Sequence, residues 1–221
     1  MKKPLIVFGS GEIAQLAKFY FDNDSNYQVV AFTVDNAFLT DTTFCGLPVI
    51  AFEEISQNYT PKEYEFFVAL SYSKLNAIRK EKYLAVKALG YRIISYISSR
   101  ATILNDGCIG ENCFILENNT IQPFATIGNN VTLWSGNHIG HHSTIRDHCF
   151  IASHVVISGG VDVGEQCFIG VNATFRDHIK IGEKCVIGAG SLLLADAKPE
   201  EVYIGSGTKP SGIISRQLRR I

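Results

Sequence analysis

From residue 103 onward, a large apolar residue recurs at every sixth position. The sixteen positions from Ile103 to Leu193 are all apolar, and twelve of them are isoleucine. Glycine follows seven of them directly, and the fifth residue of a unit is usually small, as at Ala125 and Ser143. A hexapeptide period is typical of a parallel β-helix, in which each unit forms a short strand and a bend. Three units close one triangular coil, so the repeat predicts about five coils with the recurring apolar side chains inside.

The 18-residue coil also accounts for most of the cysteines. The predicted register stacks four of them at one corner, since their spacings are multiples of 18: Cys113, Cys149, Cys167 and Cys185. Cysteine is a small, soft, apolar side chain that suits such a corner. We therefore interpret this column as core filler rather than as a metal site or a set of disulfides.

The first 95 residues follow a different pattern, in which short apolar runs alternate with segments of helical spacing. Strands are predicted at PLIVFG, YQVVAFTVD, YEFFVAL and YRIISYI, and helices at EIAQLAKFYFD and SKLNAIRKEKYLAVKALG. This alternation predicts a small parallel sheet with helices on its faces. The fold class is therefore mixed: a Rossmann-like α/β domain over residues 1–98, then a β-helix domain over residues 99–221 whose last segment caps or flanks the final coil.

Charge and composition exclude some partners. Acidic and basic side chains nearly balance, with a net charge of −1, so nothing favours binding to nucleic acid or to a membrane surface. The apolar runs are too short to span a bilayer, and the opening MKKPLIVFGSGE lacks the long apolar core of a signal peptide. We expect a cytoplasmic protein.

The stretch SGNHIGHHSTI, residues 135–145, concentrates three of the six histidines. Such a cluster is compatible with a zinc site, with a general base, or with an ordinary solvated surface. The register separates the three: Ile139 and Ile145 point inward, His141 and His142 lie on the outer face between them, and His138 belongs to the preceding unit. We expect His148 and His178 to be surface residues, whereas His154 is a candidate to approach the same groove.

The segment GSGEIA, residues 9–14, follows a strand and opens a helix. Gly9, Ser10 and Gly11 let the backbone approach a phosphate at the helix N-terminus, and Asp35 ends the second strand. Alone, the motif is compatible with a dinucleotide site or with a turn that simply needs glycine.

The repeat at 103–193, the segment GAGSLLLADAKPEEVYIGSGTKP after it and the α/β half before it together resemble the left-handed β-helix acyltransferases. More narrowly, NHIGHHS resembles bacterial sugar acyltransferases of the sialic acid O-acetyltransferase and nucleotide-amino-sugar N-acetyltransferase kind. The resemblance implies a homotrimer with active sites between subunits. It also implies acetyl-CoA as co-substrate and an N-terminal domain that holds a nucleotide-linked amino sugar. No metal is expected in the reaction.

The resemblance assigns the site residues as follows. His141 is the general base, and the position after it, which is acidic in the family, is His142 here. The orienting partner of His141 is thus His142, Glu117 or a group from the next subunit. Substrate contacts are assigned to Gly9, Ser10, Gly11 and Asp35. His138 is a further candidate for a substrate contact because it precedes an inward isoleucine and should face outward. Contacts to acetyl-CoA are assigned to Gly159, Gly170, Val171, Gly188 and Ala189. Trp134 is expected either to form a wall of the site or to pack between subunits.

The expected activity is transfer of an acetyl group to the amine of a nucleotide-linked amino-deoxy sugar. An imidazole suits this reaction because its ordinary pKa lies near neutrality and a sugar amine must lose a proton to attack a thioester. Sugar O-acetylation is the alternative within the same class. From other classes we retain a zinc enzyme similar to the γ-type carbonic anhydrases and a non-catalytic nucleotide-sensing β-helix.

Overall fold

The computed structural model describes residues 2–210, 212 and 214–217, and it divides into an α/β unit and a parallel β-helix. The α/β unit has these elements in chain order: β1 (Lys3–Phe8), α1 (Glu12–Asn23), β2 (Tyr27–Val34), β3 (Thr43–Phe44), β4 (Leu47–Ala51), α2 (Ile55–Asn58), β5 (Glu65–Val68), α3 (Ala77–Ala88) and β6 (Arg92–Ile93). Short 3₁₀ turns occupy Asn36–Phe38 and Phe52–Glu54.

The strands of the α/β unit form one sheet in the order β3-β4-β2-β1-β5-β6. All neighbours are parallel except β3 and β4. The side chains of β1 alternate between two apolar clusters: Leu5 packs on the side of α1 with Phe21, and Ile6 packs on the side of α3 with Tyr83. A strand buried on both faces is a nearly continuous apolar run, as PLIVFG is.

The β-helix has three parallel sheets of two-residue strands. The first sheet contains β7 (Tyr96–Ile97), β9 (Phe114–Ile115), β12 (Thr132–Leu133), β15 (Phe150–Ile151), β18 (Phe168–Ile169), β21 (Val186–Ile187) and β23 (Val202–Tyr203). The second contains β8 (Thr102–Ile103), β10 (Thr120–Ile121), β13 (His138–Ile139), β16 (Val156–Ile157), β19 (Thr174–Phe175) and β22 (Leu192–Leu193). The third contains β11 (Thr126–Ile127), β14 (Thr144–Ile145), β17 (Asp162–Val163) and β20 (Lys180–Ile181).

The predicted 18-residue coil is confirmed by the strand register. Ile121 pairs with Ile139, and Ile139 pairs with Ile157. We call the bends after the first, second and third sheets the first, second and third corners. The recurring apolar positions form one core, in which all but Ile103 and Ile109 are buried. The four stacked cysteines lie in this core as free, buried thiols at the third corner.

Steric crowding between successive coils explains why glycine follows the inward residue in the repeat. A Cβ atom added at Gly140 would lie 2.5 Å from the carbonyl carbon of Ser158 in the next coil. At Gly164 the added atom would lie 2.5 Å from the backbone nitrogen of Glu183. Glycine after the inward residue thus lets the backbones of successive coils touch.

Each bend also contains a residue in the left-handed conformation, which the sequence reasoning did not anticipate. Every sixth residue from Asp106 to Gly190 has a φ between +54° and +80°. This region favours glycine, asparagine, aspartate and histidine. Four of the six histidines therefore occupy this turn position, distributed over the three corners: His142, His148, His154 and His178.

The predicted strand YRIISYI is two strands that belong to different sheets. Strand β6 pairs with β5 in the α/β sheet, whereas β7 pairs with β9 in the β-helix. Ser95 lies between them, and its hydroxyl donates to the carbonyl of Gly110 and accepts from the backbone N–H of Cys113. The change of partner happens because the chain leaves one sheet and enters the first coil at this residue.

The two units are joined by a column of polar side chains at the third corner. Asn112 exchanges hydrogen bonds with both backbone groups of Val68, and its amide donates to Asn130 of the next coil. Asn130 in turn is 3.0 Å from Nδ1 of His148. These polar contacts fix the α/β unit against the β-helix.

Arg79 of α3 extends the same column and is buried. Its guanidinium donates to the carbonyls of Asn130, His148 and Cys149, to the side chains of Asn130 and Thr132, and to Oδ1 of Asn76. Burial lowers the pKa of Arg79 to about 10. The group is held by neutral acceptors rather than by a carboxylate.

The expectation that His148 is a surface residue is wrong. Helix α3 covers the third corner, so only 5 % of His148 is exposed, and the ring of Tyr83 packs against it. Burial lowers the pKa of this imidazole to about 4. His178, by contrast, is exposed as expected.

The segment after the last full coil continues the β-helix. Ala197 pairs with Ile181, and β23 pairs with β21. A 3₁₀ turn follows at Ser215–Gln217. The predicted cap includes residues 211, 213 and 218–221, which lie outside the described residues. No helix in the described part of the chain is long and apolar enough to cross a membrane.

Candidate active site

His141 lies at the second corner, and the coils on either side hold it. Its backbone N–H donates to Oε1 of Gln122 at 2.9 Å. Its ring lies over Gly159 of the following coil, where an added Cβ would be 2.6 Å from Cε1 and 2.7 Å from Nε2. The side chain is exposed, so the imidazole is accessible to a substrate while its backbone and one ring face are fixed.

His142 is the described residue that pairs with the His141 ring. The two Nδ1 atoms are 3.0 Å apart, and the ring planes are nearly perpendicular at 86°. One Nδ1 must carry the hydrogen and the other must accept it, so the contact requires opposite tautomers at the two facing nitrogens. When His141 is the donor, its Nε2 has a free lone pair.

Glu117 does not lie beside this pair. It is at the first corner, where its carboxylate accepts hydrogen bonds from Ser135 at 2.8 Å and from Tyr20 at 3.0 Å. Of the two candidate partners within this chain, the geometry therefore favours His142.

Two other histidines are placed apart from the pair. His138 is half-buried on β13, paired in register with Thr120 and Val156 on the outer side of the second sheet. The ring of His154 lies over Gly136 at the first corner, where a Cβ would be 2.5 Å from Nδ1. His154 therefore does not share a corner with His141.

An aromatic pocket of about 400 Å³ lies along the first sheet and its corner. It is lined by four aromatic side chains and by small residues: Tyr72, Trp134, Phe150, Phe168, Ala152, Ser153, Gly170, Val171 and Ala189. Tyr72 comes from the loop after β5, and its ring is 5.0 Å from Phe150 and 4.8 Å from Phe168. The α/β unit thus supplies one wall.

Three of the residues assigned to acetyl-CoA line this pocket, and two do not. Gly170, Val171 and Ala189 are part of the lining. Gly159 lies under the His141 ring instead, and a Cβ at Gly188 would lie 2.8 Å from the carbonyl oxygen of Tyr203. Gly188 is therefore required by coil packing.

The Gly9–Gly11 loop connects β1 to α1 at the centre of the α/β sheet. Gly9 has a φ of +123°, and a Cβ there would lie 2.8 Å from the carbonyl oxygen of Ala69. Both the backbone conformation and the lack of space therefore require glycine at this position. Ser10 is exposed and lines a cavity of about 140 Å³ with Phe38 and Asp41. Nothing lies within 4 Å of a Cβ added at Gly11.

Asp35 ends β2 as predicted but is already paired. Its Oδ1 is 2.9 Å from Nζ of Lys82 on α3, and both side chains are largely shielded from solvent. Lys82 also lies 5.9 Å from the ring centre of Phe8, at the end of β1. Lys82 therefore belongs with this loop, although nothing in its sequence context singled it out.

Two residues at the second corner, Gln122 and Phe124, were not predicted from the sequence, although the 18-residue register places them next to the histidine pair. Gln122 and Phe124 belong to the coil before His141 and His142, and the ring of Phe124 lies 4.8 Å from that of His142. Tyr72 was not predictable from the repeat, because it comes from the other unit.

Within the described residues, no group of three or more His, Cys, Asp or Glu side chains is close enough to hold a metal ion. The zinc alternative requires histidines from two subunits, so a metal analysis of the assembled protein is its test.

Comparison with known proteins supports the repeat and the fold. Residues 108–195 match the bacterial transferase hexapeptide (six repeats) family model. No curated protein matches the chain significantly.

Three solved structures share the fold over nearly the whole chain. A mutant of perosamine N-acetyltransferase from Caulobacter crescentus, in complex with CoA and GDP-perosamine, has a TM-score of 0.81, 21% identity and coverage of 91% of this chain and 93% of that one. The acetyltransferase domain of PglB from Neisseria gonorrhoeae has a TM-score of 0.78 and 22% identity, with coverage of 95% of this chain and 100% of that one. WeeI from Acinetobacter baumannii has a TM-score of 0.77 and 18% identity, with coverage of 92% of this chain and 97% of that one. The resemblance to left-handed β-helix bacterial sugar acyltransferases is confirmed in repeat and fold.

Proposed function

We propose that this chain, which carries the bacterial transferase hexapeptide repeat and has the fold of bacterial sugar acetyltransferases, moves an acetyl group from acetyl-CoA to the amine of a nucleotide-linked amino-deoxy sugar. The observation that carries the proposal is the seating of His141. Gln122 fixes its backbone, Gly159 supports one ring face, and His142 pairs with Nδ1. These contacts leave Nε2 as the free nitrogen of an accessible imidazole.

His141 acts as a general base in a direct transfer. The unprotonated amine attacks the thioester carbon, a C–N bond forms, and Nε2 of His141 takes the proton that the nitrogen loses. The C–S bond then breaks, and His141 returns the proton to the departing thiolate. His142 accepts a hydrogen bond from Nδ1 of His141 while that ring is positively charged. A neutral acceptor thus replaces the carboxylate expected from the family.

The proposal includes a site shared between subunits, because the aromatic pocket and the histidine pair lie at different corners of one chain. The pocket lies at the first sheet and first corner, whereas His141 lies at the second corner of the same coil stack. Gly170, Val171 and Ala189 leave room beside the aromatic wall for the pantetheine arm. In the proposed homotrimer, the pocket of one chain would be completed by His141 of its neighbour.

The α/β unit is assigned to binding the nucleotide of the acceptor sugar. Numbered along the chain, its parallel strands have the order 3-2-1-4-5, which matches the first five strands of the six-stranded dinucleotide-binding order 3-2-1-4-5-6. Gly9, Ser10 and Gly11 lie where such folds bind phosphate. Asp35, which ends the neighbouring strand β2 and is paired with Lys82, completes this group of residues.

The test is a substrate screen with acetyl-CoA. UDP-, dTDP- and GDP-linked amino sugars are supplied with acetyl-CoA, and free thiol is followed. One nucleotide sugar is expected to turn over, with a mass increase of one acetyl group on its amine. His141→Ala should lower turnover by about 10² to 10⁴.

His178→Ala is the matched control, because His178 is also an exposed histidine at the second corner. It should keep full turnover. Unchanged turnover in His141→Ala would remove the base. Acetylation of a hydroxyl would establish the O-acetyltransferase alternative, and one zinc per subunit in the purified protein would establish the metalloenzyme.

A further inference from the structure

Phe124 adopts a backbone conformation that its side chain does not favour. It occupies the left-handed turn position of the second corner, one coil before His142, with a φ of +65°. Every other residue at this position between Asp106 and Gly190 is Asp, Asn, Gly, His, Gln or Lys. A bulky aromatic residue in this region is a conformational outlier that needs a compensating role.

The ring of Phe124 is not part of the apolar core, because 67 % of the residue is exposed. Core packing therefore does not explain its presence at this position. Its defined neighbour is His142, whose ring lies 4.8 Å away between centroids and is tilted by 38°. The backbone N–H of His142 donates to the carbonyl of Pro123, next to Phe124. The coil before the histidine pair therefore contacts His142 through both backbone and ring.

His142 needs such a contact because it is exposed and its ring would otherwise rotate. The 3.0 Å contact between the two Nδ1 atoms exists in only one orientation of the His142 ring. An aromatic face against that ring restricts the rotation. Phe124 thus acts on His141 indirectly, by holding its partner His142 in place.

We propose that Phe124 is a positioning residue that holds the His142 ring so that its Nδ1 faces Nδ1 of His141. This inference rests on the proposed function, in which His141 is the base. The same corner offers an internal comparison, because the column Phe124, His142, Gly160 and His178 repeats the turn in four coils. The ring of His178 rests on Gly160 rather than on a second aromatic ring.

The test replaces Phe124 with asparagine, which occurs at this turn position in four other bends. Phe124→Asn is expected to leave the unfolding midpoint unchanged or raised, because asparagine tolerates positive φ. Turnover is expected to fall by about tenfold to a hundredfold, mainly in kcat. Phe124→Tyr keeps the ring and should restore most of the activity. His178→Asn, the matched control in the same column, should leave turnover unchanged.

A double-mutant cycle shows whether Phe124 acts through His142. In a His142→Ala background, Phe124→Asn should change kcat by less than about twofold, since the group that it positions is already gone. The pH dependence of kcat should change in Phe124→Asn in the same direction as in His142→Ala. Native mass of Phe124→Asn should match that of the wild type.

Several results would overturn the proposal. They are full turnover in Phe124→Asn, a change confined to KM for the sugar, an equal loss in the presence and absence of His142, or a changed subunit count. Failure of the proposed function is distinguishable, because His141→Ala would then retain activity whatever happens at Phe124. If Phe124→Asn does not fold, Phe124→Gly repeats the test with the other residue typical of this turn.

Discussion

His142 and His148 are six residues apart and have nearly the same backbone conformation, with φ values of +59° and +64°. His142 at the second corner is exposed and pairs with His141 and Phe124. His148 at the third corner lies under α3, where it contacts Asn130 and the ring of Tyr83. The repeat therefore fixes the backbone of both residues, and what packs against each corner decides the chemistry.

The comparison explains why one histidine is available for proton transfer and the other is structural. Burial beside Lys80 and Arg79 lowers the pKa of His148 to about 4, and the nearby Asp147 offsets only part of this effect. His148 is therefore neutral in the folded protein over the physiological pH range. Three experiments test the contrast between the two corners, from the largest expected effect to the smallest.

The largest effect is expected at the third corner, from Arg79→Met. The substitution leaves the carbonyls of Asn130, His148 and Cys149 without their buried donor. We expect a loss of about 3 to 5 kcal/mol in the free energy of unfolding, measured by denaturant titration. The control is Arg146→Met, which breaks an exposed pair with Asp162 and should cost less than about 1 kcal/mol. Equal losses would mean that the α/β unit is not anchored through Arg79.

The next effect is a pH dependence of stability from His148. The unfolded chain binds a proton at this imidazole below about pH 6.5, whereas the folded protein binds it only near pH 4. Stability should therefore be unaffected by His148 above pH 6.5 and fall as the pH is lowered through this window, by up to about 3 kcal/mol. Unfolding titrations of wild type and His148→Asn between pH 4 and 7.5 measure the difference. A difference that does not change with pH would contradict a neutral buried His148.

The smallest effect is expected at the second corner, from Gly159→Ala. The added methyl group would meet Cε1 and Nε2 of His141 at 2.6 and 2.7 Å, so the ring must move. Turnover should fall by about tenfold, whereas the unfolding midpoint should change little because the ring can swing into solvent. Gly207→Ala is the control, since nothing lies within 4 Å of its added methyl group. Unchanged turnover in Gly159→Ala would show that the position of the His141 ring is not critical.

The sequence was sufficient for the features that depend on local periodicity. The inward residues, the 18-residue coil and the buried cysteine column follow from counting in sixes. The left-handed turn position was also present in the sequence, as Asn, Gly or His at most of the positions six apart from 106 to 190, but a separate count was needed to recognise it. That count would have related Phe124 to His142 before the structure did.

The features that depend on the other unit were not predictable in this way. His148 is buried because α3 covers the third corner, and α3 is some sixty residues earlier in the chain. Tyr72 enters the aromatic pocket for the same reason. The strand YRIISYI was wrong as a single strand because β-propensity does not indicate which of two sheets each half joins.

The three-sided coil sets a rule for insertions and deletions in this chain. Removing six residues from the repeat keeps every apolar side chain inside, but each later residue moves to the next face of the triangle. Removing eighteen residues keeps both the interior and the faces. Length changes after His141 that are multiples of six are thus compatible with folding, but only multiples of eighteen keep Val171 and Ala189 on the same side as Trp134.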